Sequence, residues 1–131
     1  MKRVGISLLA MVIFSGVSAS ASADEWAWNL GGDGNQLITS CKSAVQKLDE
    51  PSRVFTQQEV YYIGYCDGFV SGIADSPQTQ SDANLMGVPR GQLERVVVKY
   101  LEDHPEKLSL ASSFLVREAL IKAFPKVRKG K

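Results

Sequence analysis

The chain has 131 residues, with 15 Lys and Arg, 14 Asp and Glu and one His, for a formal charge of +1. That length allows one domain with a modest core, and the near-neutral balance excludes the basic footprint on which nucleic-acid binding rests. Residues 1–23 read as an export signal: Lys2 and Arg3 form a basic start, Val4 to Val17 is almost wholly apolar, and Ala21-Ser22-Ala23 is an A-x-A cleavage site. The apolar run is too short for a membrane span, and no cysteine follows it for lipid attachment. The mature protein is therefore expected to start at Asp24 and to be a single domain over 24–131, exported to a bacterial periplasm. Losing Lys2 and Arg3 leaves 13 basic residues against 14 acidic ones. No second hydrophobic run follows.

Asp24 to Asn35 is a turn-rich entry with Trp26 and Trp28, whose rings are expected to cover one end of the fold. Helix one is expected over about Gln36–Leu48, with Leu37, Cys41, Ala44, Val45 and Leu48 on one face. Asp49-Glu50-Pro51-Ser52 breaks it. Thr56 with Glu59 three residues on is a capping-box signature that opens helix two. This helix reads Gly64-Tyr65-Cys66-Asp67-Gly68-Phe69-Val70-Ser71-Gly72-Ile73-Ala74-Asp75. Each interior glycine costs about 1 kcal/mol relative to alanine. A line of three is therefore expected only where something comes very close. Cys66 shares its side of the wheel with Tyr62, Phe69, Val70 and Ile73, and the glycines lie opposite, so the helix is expected to be central and buried on both sides.

Residues 77–88 (PQTQSDANLMGV) are polar and without period until Leu85 and Met86, and are expected to form the longest loop. Helix three opens around Pro89, suited to a first turn, and presents Leu93, Val96, Val97, Tyr100 and Leu101. Pro105 stops it. Helix four, about Ser109 to Phe124, has a main face of Leu115, Val116, Ala119, Leu120, Ala123 and Phe124. Phe114 and Ile121 form a second apolar stripe, which suits either deep burial or self-association. Pro125 ends the helix, and Lys126 to Lys131 is a solvated basic tail. The fold class is thus all-α: a compact bundle of about four helices.

Two cysteines in an exported chain pair with each other, so one internal disulfide, Cys41–Cys66, is expected. Catalysis has little support. A nucleophile, a general base or a metal would be needed, and the lone His104 lies in Asp-His-Pro at a helix end, where capping suffices. Asp67 and Asp75 face different directions. The expectation is no catalytic residue, no cofactor and no metal.

The order Cys41, Gly64-Tyr65-Cys66-Asp67-Gly68-Phe69-Val70-Ser71-Gly72-Ile73-Ala74-Asp75, Gly87-Val88-Pro89-Arg90-Gly91-Gln92, Arg95 through Leu108 and Ala119-Leu120 to Pro125 resembles the Rap/Tai family. Those are periplasmic immunity proteins against peptidoglycan amidases delivered by type VI secretion systems. The resemblance covers about residues 36–125. It implies an all-α fold, often a homodimer, without catalytic activity. The implied partner is a papain-like cysteine amidase whose groove is plugged or covered. Many members carry a second disulfide, from the loop before helix three to the residue after the final Phe-Pro. Here those places hold Asp82 to Met86 and Lys126, which implies a 77–88 loop freer to move or to point outward.

A reach into a groove must come from a loop, because helices two to four turn their apolar faces to the core. The candidate partner-binding residues are Gln80, Ser81, Asp82, Asn84, Leu85 and Met86, a polar rim around two apolar anchors. Asp82 is expected either to face an imidazolium in the amidase or to cap a turn. Phe114 and Ile121 are the candidate dimer interface. The alternative function is a small periplasmic stress chaperone that opens at low pH.

Overall fold

The computed structural model describes residues 32–127. The expected export signal of residues 1–23, Trp26 and Trp28, and the last residues of the basic tail lie outside that range. Within it the chain forms five α-helices and one 3-10 turn: α1 Gly34–Asp49, α2 Gln57–Ala74, α3 Pro77–Asp82, α4 Arg90–Asp103, the 3-10 turn Pro105–Lys107, and α5 Ser112–Ala123. No strand occurs among the described residues, only the isolated antiparallel bridges Asp33↔Ala111 and Ala83↔Pro125.

The helix starts follow local chemistry. The Asp33 side chain accepts from the Gln36 N–H at 3.0 Å and so opens α1 two residues before the expected start. That hydrogen bond is also the main cause that lowers the Asp33 pKa. Thr56 and Glu59 form the full capping box of α2. His104 ends α4, its N–H bonding the Leu101 carbonyl.

α1 packs on α2 and α4, and α5 packs on α4 and α2. Their shared core contains Leu37, Cys41 and Ala44 from α1, and Cys66 and Val70 from α2. It is completed by Leu93, Val97 and Leu101 from α4, and Leu115, Val116 and Leu120 from α5. Cys41 and Cys66 are joined as a disulfide, with Cα atoms 5.0 Å apart, between adjacent buried helix faces.

Two expectations are corrected. The first half of the supposed 77–88 loop is the helix α3: Ser76 accepts from the Thr79 N–H and Pro77 occupies the first turn. It buries only Thr79, so it leaves no apolar period to read. The second correction concerns the glycines. Gly64, Gly68 and Gly72 are exposed, and a Cβ at any of them would meet nothing within 4 Å. α2 is buried on one side only, through Ile63, Cys66, Val70 and Ala74. The other four helices pack on one face of α2, and the opposite face stays open. The close approach occurs at Gly34, where a Cβ would lie 2.8 Å from the Leu108 Cα and 2.9 Å from its carbonyl oxygen. Two smaller departures accompany these: Leu48 and Ala123 are exposed rather than inward-facing.

Candidate partner-binding site

The segment after α3 is held at its base by the end of the chain. Ala83 bridges Pro125, the Asn84 N–H donates to the Phe124 carbonyl at 2.8 Å, and the Lys126 N–H donates to the Asp82 carbonyl at 2.9 Å. Ala83 is buried beneath this junction. These are the places where the resemblance put a second disulfide, and here backbone hydrogen bonds close the same gap. The Asp82 carboxylate adds an ion pair with Arg117 of α5, and Lys126 Nζ donates to the Gln80 carbonyl at 3.1 Å.

Above this base the chain makes a tight turn. The Val88 N–H donates to the Leu85 carbonyl at 3.1 Å, and Gly87 sits at φ +76°. A positive φ at the third turn residue is the type II position that glycine fills without strain. Leu85 and Val88 are half-buried against the core. Met86 is thrown outward and is 92% exposed.

The structure therefore sorts the six candidate residues. Gln80, Asn84, Leu85 and Met86 line a shallow cavity of about 310 Å³ together with Ala83 and Lys126. Ser81 and Asp82 line a neighbouring one instead, with Arg117, Ile121, Pro125 and Lys126. Several polar groups have local roles: Gln80 Nε2 donates to the Ala74 carbonyl at 2.9 Å, and Ser81 Oγ to the Gln78 carbonyl at 2.8 Å. Asp82, paired with Arg117, ties α3 to α5.

The second candidate surface adjoins the first. Phe114, 52% exposed, and the half-buried Ile121 flank a depression of about 340 Å³ with Arg117, Glu118 and Lys122. Arg117 and Ile121 line both this depression and the one beside Asp82. The turn and the α5 stripe are thus one continuous face. Arg117, which sequence reasoning passed over, and Lys126, read there only as the place of an absent cysteine and the start of a basic tail, join its parts. A signal for Arg117 existed in its place between Phe114 and Ile121, on the same side of the helix.

His104 is held by its neighbours at the end of α4. Its Nδ1 lies 3.4 Å from Glu106, its Nε2 3.3 Å from Lys122 Nζ, and its ring meets the Tyr100 ring edge-on. Nearby, Lys107 donates to Glu118 at 2.7 Å and to the Tyr100 hydroxyl at 2.8 Å. The Lys107 bond is the main cause that lowers the Glu118 pKa. Among the described residues no group of three or more His, Cys, Asp and Glu side chains could hold a metal ion. No helix there is long and apolar enough to cross a membrane.

A family model described as Rap1a immunity proteins matches residues 33–125, the span from the cap of α1 to the proline that closes the base of the turn. No curated protein and no solved structure matches the chain.

Proposed function

Because the chain belongs to the Rap1a immunity protein family, we propose that it protects its producer by binding a peptidoglycan amidase delivered by type VI secretion and covering the enzyme's active-site groove. Membership implies an effector protein as the partner, and the role is that of an inhibitor rather than an enzyme. The setting is the periplasm, reached with a cleaved leader at Asp24. The observation that best supports the mode of binding is the Leu85–Val88 turn, with Met86 held out on a base pinned by Ala83 and Pro125. An apolar tip on a fixed base pays little ordering entropy on entering a groove.

Coexpression with a Cys–His amidase encoded beside the gene tests this directly. Growth is expected to be rescued, and the purified pair to bind tightly. Met86→Ala removes a side chain that supports little of the fold and is expected to weaken binding by about 10- to 100-fold, as for an interface anchor. Unchanged affinity would move the contact off the turn. No binding to any neighbouring amidase would favour the stress-chaperone function.

The same face carries a second expectation. Phe114 and Ile121 are proposed to meet their counterparts in a symmetric homodimer, the commonest closed assembly. Light scattering on the mature protein should give about twice the monomer mass, and Ile121→Asp should return it to monomer with helicity retained. A dimer that survives this substitution would place the interface elsewhere.

A further inference from the structure

Glu94 has no part in the face described above. It sits on α4 and is 2% exposed, and its Oε1 has no hydrogen-bond donor among the described residues. Across the contact between α2 and α4 its carboxyl comes within hydrogen-bonding reach of Asp67. Two carboxylates only accept, so they cannot satisfy each other. A proton held by Glu94 supplies the missing donor and removes a buried charge that would stand beside another carboxylate.

We propose that Glu94 keeps its proton in the folded chain, facing Asp67 across the α2–α4 joint, and that its release in alkaline solution loosens this joint and the first turn of α4. The charged groups that act on Glu94 come from each side. Asp67 stands on α2, Lys47 on α1, and Arg90 one turn earlier on α4. Arg95 also senses Glu94 but is held by Asp49 at the end of α1. Once the proton leaves, Lys47 and Arg90 are the cations available to the new charge. Arg90 follows directly on the Met86 turn through Val88 and Pro89. The joint therefore links solution pH to the seating of the exposed turn.

The direction of the pH effect follows from burial. Desolvation, and then Asp67, push the Glu94 carboxyl from 4.5 to about 8. Between those values the folded chain keeps a proton that the unfolded chain has lost. The stabilisation is complete below the lower value and is lost as pH rises through the upper one. Asp33, Asp49, Glu59 and Glu118 act oppositely, since their lowered values withdraw stability only in acid.

The test is urea unfolding of the disulfide-bonded mature chain and of Glu94→Gln, at about pH 5.5 and about pH 8.5, with NMR titration of the side-chain carboxyls. The glutamine amide keeps a permanent donor toward Asp67, so the variant is expected to fold. The wild-type unfolding constant should rise on the order of tenfold or more between the two pH values, and this rise should be absent from the variant. One carboxyl should titrate well above all others. An equal pH dependence in both proteins overturns the proposal. So does a set of carboxyls that all titrate in the ordinary range. A Glu94-dependent stabilisation by added calcium at the alkaline pH would also overturn it, because the pair would then hold a cation and not a proton.

Discussion

Replacing Cys41 and Cys66 together by alanine is expected to lower the unfolding free energy by about 3–4 kcal/mol. The bridge closes a loop of sequence separation 25, and its loss returns that closure entropy to the unfolded chain. Both sulfurs are fully buried, so alanine also leaves a small void between α1 and α2. With net stabilities of about 5–15 kcal/mol typical of native proteins, this is a large fraction of the whole. Urea unfolding with and without reductant is the measurement. Reduced wild type should fall to about the level of the double variant, and the variant should not respond to reductant. Equal stability of wild type and variant in oxidising buffer would show that the bridge contributes nothing.

The second large effect has the opposite sign. Alanine at Gly64, Gly68 and Gly72 together is expected to raise stability by about 2–3 kcal/mol, with a melting temperature higher by on the order of 10 °C. All three positions are interior to α2, and the space above each is open. The added methyl groups therefore meet no clash, and the backbone of the unfolded chain loses freedom. Gly34→Ala in the same assay is expected to lose about 1–3 kcal/mol, because its methyl is driven into the Leu108 backbone. A triple variant that is less stable than wild type would mean that the glycine face is covered in solution.

These predictions mark where the sequence was legible. Thr56 and Glu59 announced the start of α2 because a capping box is local chemistry. The periodic residues of α4 and α5 gave both helices and most of their buried positions. Cys41 and Cys66 fell on inward faces, as pairing required. Periodicity tells which residues share a face, but not whether another element covers it. That is why the glycine line was expected to be buried and is not. α3 escaped because six residues burying one threonine make no pattern. Asp82 and Arg117 are 35 residues apart, so their pairing is purely tertiary. Glu94 was the readable omission. It stands in line with Val97, Val98 and Leu101 at the i, i+3, i+4, i+7 spacing of a buried stripe.

The clasp between Ala83 and Pro125 also fixes the order in which the parts of the molecule become ready during folding. A chain emerging from its N-terminus has both cysteines available once α2 is out, and the α1–α2 pair can be locked early. The Leu85–Val88 turn emerges soon after, but the groups that pin its base, Phe124 and Lys126, come some forty residues later. That distance must be closed as a loop before the turn has a seat, at a cost that grows only slowly with length. The part of the protein proposed to meet its partner is therefore among the last to take shape. A partly folded chain can carry its bridge without its contact surface, and removing the end of the chain back to α5 would leave the bundle with its turn unmoored.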